Sequence, residues 1–301
     1  MFRVREQIAC PDMMRNGNSP VTIAFLDTGV SLHPDLLDRI VYFKDFVNGR
    51  TVCYDDAGHG THVCGIAAGS GLLSGGKYRG VAPESKIVMV KVLDENGDGS
   101  ADIMMQGLAW IVENREKLQI RIVNISIGLG TLKDEEKKQQ LLEVVEDAWY
   151  HGLIVVCAAG NLGPEKGSIS PLGVSNKVIT VGCHDGGYFR DKSNRCETYS
   201  GRGPTKYAIK KPDLVAPGTD VFSCNALFQK HDRKNPAYIK KSGTSMATPQ
   251  ATGAAALLLQ KKPFLNNETV KKKLLYSAVD LQEPWTKQGW GMLNIKRALD
   301  I

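Results

Sequence analysis

Three segments of this chain carry residue types that could perform acyl transfer. Ser245 stands in Ser242-Gly243-Thr244-Ser245-Met246-Ala247-Thr248-Pro249, Asp27 in Phe25-Leu26-Asp27-Thr28-Gly29, and His59 in Gly58-His59-Gly60-Thr61-His62-Val63. A serine hydroxyl is a poor nucleophile at neutral pH, so it needs a histidine to take its proton and a carboxylate to orient that histidine. The order of the three along the chain discriminates among serine-hydrolase architectures, which reach one geometry on unrelated folds. All six histidines, at 33, 59, 62, 151, 184 and 231, precede Ser245. An α/β-hydrolase would place its histidine after the serine and show Gly-x-Ser-x-Gly, which Gly243-Thr244-Ser245-Met246-Ala247 does not match. A chymotrypsin-like order of His, Asp, Ser would require an all-β chain. The order Asp27, His59, Ser245 remains.

The elements that must position these residues show in the apolar patterning. Runs apolar on successive residues start at Val21, Lys86, Arg121, Leu153 and Val178 and read as strands buried on both faces. Helical periodicity appears between them over residues 102–114 and roughly 134–151. This alternation predicts a parallel sheet covered by helices. Asp27 then ends the first strand, His59 opens a helix, and Ser245 precedes an alanine-rich helical stretch over residues 252–260. Residues 69–80 and 225–241, polar or glycine-rich, are expected to be loops. No repeat or linker divides the chain, so one domain is expected over residues 1–301, with residues 1–20 a short N-terminal extension and no propeptide evident.

The segments around Asp27, His59 and Ser245 resemble the three motifs of the subtilisin-like (subtilase) family. The similarity runs from about Val21 to Gly289-Trp290-Gly291-Met292-Leu293-Asn294, nearly the whole chain. In character the chain is most similar to the intracellular bacterial subtilases. The resemblance implies a three-layer α/β fold, its mostly parallel central sheet flanked by helices on both faces. It also implies a serine endopeptidase that acts on protein or peptide substrates through an acyl-enzyme, with no cofactor in the chemistry.

Further residues follow from the same resemblance. Asn161, in Ala158-Ala159-Gly160-Asn161, matches the asparagine whose side-chain amide donates to the oxyanion, and the backbone N–H of Ser245 would be the second donor. An extended substrate would add as a strand beside Asp98, Gly99, Ser100 and Ala101 and beside Ser126, Ile127 and Gly128. The pocket for the residue before the cleaved bond would be walled by Ser126, Ile127 and Gly128 and by Ala158, Ala159 and Gly160. Ala101 stands where some relatives carry an aromatic, which leaves the distant apolar subsite open on one side. Asp35, in His33-Pro34-Asp35-Leu36, matches a position that often supplies a calcium ligand, and is the candidate for a structural calcium. The partnering loop at 69–80 departs from that pattern: it is longer and lacks an obvious asparagine or aspartate.

Composition excludes several other functions. The 301 residues are 42% hydrophobic and 23% charged, ordinary for a globular protein. The formal charge of +6 comes from lysines spread along the chain, with no basic stripe interleaved with aromatics, so nucleic acid is not an expected partner. No window reaches transmembrane length, and the charged start Met1-Phe2-Arg3-Val4-Arg5-Glu6 is unlike a secretory signal, so no membrane association is expected. Seven cysteines without metal-type spacing fit reduced thiols and a cytoplasmic setting. Asp94-Glu95-Asn96-Gly97-Asp98-Gly99-Ser100-Ala101-Asp102 imitates an EF-hand loop, but its twelfth position is Met105 where a bidentate glutamate is needed. His59 and His62 lack the glutamate and third ligand of a zinc site.

Overall fold

The computed structural model describes residues 1–12, 19–128, 134–189, 195–205 and 209–300. Its centre is a seven-stranded sheet made of β1 (Thr22–Asp27), β2 (Ile40–Asp45), β3 (Lys86–Lys91), β4 (Ile120–Ile125), β5 (Ile154–Ala158), β6 (Ile179–Cys183) and β7 (Leu214–Ala216). The order is β2-β3-β1-β4-β5-β6-β7, and every pairing is parallel. β1 is therefore central, aligned from Thr22 opposite Lys86 to Asp27 opposite Lys91.

The continuous apolar runs are explained by burial on both sheet faces. Ile23, Phe25, Ile87, Met89, Ile122, Ile154 and Val156 point into one core cluster, whereas Ala24, Leu26, Val88, Val90, Val123, Ile125 and Val155 point into another. This is the two-residue period of a pleated strand. Phe25 is fully buried, which stabilises the fold by about 1.5–3 kcal/mol relative to exposure. The first face is covered by α2 (His59–Ala68) and α5 (Thr244–Lys261), and the second by α3 (Ala101–Asn114) and α4 (Glu135–Tyr150), with α1 (Phe2–Gln7) beside the first core.

Ser100 caps α3 by accepting the Ile103 N–H, and Asp134 caps α4 by accepting those of Glu136 and Lys137. Both are the short polar side chains that satisfy orphan donors at helix starts. α5 extends well beyond the alanine-rich stretch 252–260 and begins one residue before Ser245. It is buried on nearly all sides, so alanines and glycine replace the amphipathic stripe of a surface helix. A Cβ at Gly253 would come within 2.6 Å of Val81 Cβ, which fixes how closely α5 passes.

Two expectations are corrected. Residues 225–241 contain β9 (Tyr238–Lys241), which pairs antiparallel with β8 (Val221–Cys224). This half-exposed ribbon has no continuous apolar run to announce it. The short N-terminal extension packs on the domain: Met1, Val4 and Ile8 are buried, and the backbone N–H groups of Ile295 and Lys296 bond to the carbonyls of Ile8 and Ala9. Finally, Cys183 and Cys196 form a disulfide, with Cα atoms 5.9 Å apart, whereas the other five cysteines are unpaired. Chain return after β6 brings the two together, a contact their spacing does not reveal. No helix among the described residues is long and apolar enough to cross a membrane.

Candidate active site

Parallel sheets gather their functional groups at the carboxyl ends of the strands, and this one does so with β1, β4 and β5. Asp27 is the last residue of β1 and fully buried. His59 is the first residue of α2, following Gly58, whose φ of 71° places it in the left-handed region that favours glycine. The His59 Nδ1 lies 2.7 Å from Asp27 Oδ1, which also accepts the Thr28 N–H at 2.8 Å. A carboxylate only accepts, so Nδ1 carries the proton and Nε2 keeps the lone pair a general base needs. Burial pushes the His59 pKa down, but the Asp27 carboxylate and its hydrogen bond outweigh this, and the net shift is upward.

Ser245 occupies the first turn of α5, where backbone N–H groups have no acceptor four residues back. Its hydroxyl donates to the Ser126 carbonyl at 2.7 Å, so in this conformation the hydroxyl proton points to the strand β4 side of the site. Asn161 follows β5 and is tied by its oxygen: Oδ1 accepts both the N–H and the hydroxyl of Thr244, at 3.1 and 3.0 Å. That double bond fixes the amide orientation and leaves Nδ2 as the outward donor. Gly243 has a φ of 142°, and a Cβ there would sit 3.4 Å from Asn161 Nδ2. A side chain at this position is strained by the positive φ and would contact the amide at ordinary van der Waals distance.

Ser126, Ile127 and Gly128 follow β4, and Ala158, Ala159 and Gly160 end or follow β5, so the two segments lie side by side on paired strands. Space is open beside Gly128, while the Ala158 carbonyl is occupied by the Ser170 hydroxyl at 2.7 Å. Asp98, Gly99 and Ser100 form an exposed stretch before α3. Ala101, at the start of α3, is buried against the second core.

Sequence reasoning missed Asn124. Its Nδ2 donates to Ser126 Oγ at 2.9 Å and its Oδ1 accepts from Thr252 Oγ1 at 2.8 Å, which links the Ser126 segment to α5. The signal was an amide inside an apolar strand run.

The Asp35 carboxylate is engaged by protein donors. Oδ2 accepts the Gly71 N–H at 3.1 Å and the Tyr238 hydroxyl at 2.8 Å, and Oδ1 accepts the Leu73 N–H at 3.1 Å. His33 and Cys224 supply nearby ligand-type atoms, whereas calcium prefers oxygen donors. Through these bonds Asp35 holds the 69–80 loop directly. His62 is buried and donates from Nε2 to the Val221 carbonyl at 3.0 Å, and burial lowers its pKa to about 3. Burial likewise raises the Cys157 thiol to about 12 and Cys64 well above its ordinary value, so neither behaves as a reactive thiolate.

With this fold and site in place, comparison with known proteins assigns the class. The profile of the Subtilase family matches residues 18–291. The chain belongs to the Subtilase family. It is 42% identical over 278 residues to Serine protease AprX of Bacillus subtilis (strain 168), a match covering 87% of this chain and 63% of that protein. It is 34% identical over 280 residues to Subtilisin Savinase of Lederbergia lenta, covering 93% and 91% of the two chains. Among solved structures, Sphericase superposes with a TM-score of 0.80 at 28% identity, covering 97% of each chain. The chain spans less than two thirds of the length of AprX.

Proposed function

We propose that this protein is a serine endopeptidase that cleaves peptide bonds through an acyl-enzyme, with no cofactor in the chemistry. The observation that carries the reading is the 2.7 Å Asp27–His59 hydrogen bond, with Asn161 tied to the residue immediately before Ser245. Membership in a family whose relatives include Serine protease AprX and Subtilisin Savinase supports it.

An extended peptide lies between the residues at 98–100 and Ser126 to Gly128, with the side chain before the scissile bond against Ala158, Ala159 and Gly160. Ser245 turns from the Ser126 carbonyl toward His59 Nε2 and attacks the substrate carbonyl as its proton passes to the imidazole. Asp27 stabilises the resulting imidazolium. The oxyanion is met by Asn161 Nδ2 and the Ser245 N–H at the positive end of α5. His59 then protonates the departing amine, and water attacks the acyl ester with the same base assisting.

A catalytically silent binding protein on this fold is disfavoured, because the acid, base, nucleophile and oxyanion donor are all present. Fluorophosphonate labelling tests the assignment: the wild type labels, Ser245→Ala does not, and an equally labelled Ser245→Ala protein refutes it. We also propose one peptidase domain, on the single seven-stranded sheet, and a cytoplasmic role in protein turnover or precursor processing, on the five unpaired cysteines, which outnumber the two of the Cys183–Cys196 disulfide. Fractionating cells into cytoplasm and medium, with immunodetection, checks the location.

A further inference from the structure

We propose that Asp55 is a positioning residue of this site: its carboxylate clamps the segment carrying Asp27 to the helix start carrying His59, and so sets the geometry of their hydrogen bond. The proposal rests on the roles assigned above to Asp27 and His59.

A helix start leaves four N–H groups without intrahelical acceptors, and the N-cap residue of α2 is Gly58, which has no side chain to satisfy them. Asp55 supplies what Gly58 lacks. Its Oδ1 accepts the Gly58 N–H at 2.8 Å, and its Oδ2 accepts both the N–H and the hydroxyl of Thr61, at 2.8 and 2.6 Å. Thr28 Oγ1 accepts the Gly60 N–H at 2.9 Å and donates its own hydrogen bond to Asp55 Oδ1 at 2.7 Å. The donors are thus Thr28, adjacent to Asp27, and residues on both sides of His59. Asp55 is 5% exposed, and Thr28 and Thr61 are fully buried. Water does not readily replace such bonds.

The two segments also touch through their backbones. Gly29 and Asp55 form an antiparallel bridge, and Val30 N–H bonds to the Tyr54 carbonyl at 3.0 Å. A Cβ at Gly60 would come within 2.2 Å of the Gly29 carbonyl oxygen and 3.1 Å of Asp27 Cβ. With so little space, the register between the end of β1 and the start of α2 depends on which groups donate and which accept. Asp55→Asn replaces one acceptor oxygen with a donor, which opposes an N–H or hydroxyl whichever way the amide turns. The charged groups facing His59 are Asp27 from β1, Asp55 from the segment before α2, and Lys241 from β9.

The test measures steady-state hydrolysis of a chromogenic peptide across pH, with thermal melts, on the full chain as wild type, Asp55→Asn and Thr28→Val. For folded Asp55→Asn we expect kcat to fall roughly 100-fold with KM within about threefold, the signature of lost catalytic orientation. The acid limb of its kcat/KM profile should move to lower pH, because a negative charge facing His59 is gone. Thr28→Val keeps that charge, so kcat should fall about 10-fold with the acid limb unmoved. Wild-type kcat and an unshifted limb in folded Asp55→Asn overturn the proposal. If Asp55→Asn does not fold, Thr28→Val decides, and wild-type kcat in that variant overturns it. A wild type that neither turns over nor takes the fluorophosphonate label overturns the catalytic roles of Asp27 and His59, and this proposal with them.

Discussion

The two halves of the site are held in opposite ways. Asp27 and His59 meet where β1 and α2 are in backbone contact, with a buried carboxylate and two threonines filling the seam. On the other side Thr244 ties the Asn161 amide, but the Ser245 hydroxyl is held lightly, resting on the Ser126 carbonyl and away from the base. The difference matches the demands of the reaction. A general base must keep its tautomer and direction through every turnover, whereas the nucleophile has to swing between a resting acceptor, the base and the substrate carbon.

The sharpest way to break the comparison is to remove the moving part. Ser245→Ala should lower kcat on a peptide substrate roughly 10⁶-fold, a magnitude carried over from subtilisin, a relative, with the melting temperature little changed. Asn161→Ala should lower kcat roughly 10²–10³-fold with KM nearly constant, again on the scale known for the same donor in subtilisin, because the amide bonds the oxyanion rather than the ground-state carbonyl. Single-turnover kinetics would separate that from slow product release.

Smaller effects sharpen the contrast. Asn124→Ala removes the shorter of the Thr252 hydroxyl's two bonds, leaving it the Thr248 carbonyl at 3.2 Å, and frees the Ser126 segment, so stability should drop about 1–3 kcal/mol in urea titration. Asp35→Ala should cost a similar amount by orphaning the Gly71 and Leu73 N–H groups, and added calcium should not restore the loss. The pH dependence carries opposite signs for activity and stability. The His59 pKa is raised above its ordinary 6.5, so activity, which needs the neutral imidazole, should rise only as pH passes that elevated value. The Asp27–His59 pair stabilises the fold fully below the unfolded value of about 6.5, and that contribution fades as pH climbs through the raised one. Melting curves and kcat/KM recorded over the same pH range should therefore diverge.

The proposed catalytic residues stood out in the sequence because each sits near glycines and small residues in an unusual local pattern, and the apolar runs named five of the seven strands of the sheet. β2 and β7 were missed for physical reasons. β2 exposes much of its length, and β7 is only three residues long. Asp55 read as an ordinary loop aspartate, because its meaning lies in partners more than two dozen residues away, such as Thr28, whose hydroxyl only folding brings within reach. The calcium expectation at Asp35 came from a matching position alone. The 69–80 loop aims backbone donors at that carboxylate, which no side-chain pattern reports.

The place of Ser245 on α5 has a consequence for timing. That helix is encoded late in the chain and is buried against β4, β5 and β6 as well as α2. The nucleophile cannot reach the base until strands from both halves of the chain have assembled around it, and such distant contacts form slowly. A chain still emerging from the ribosome carries its acid and base but has nothing to cleave with.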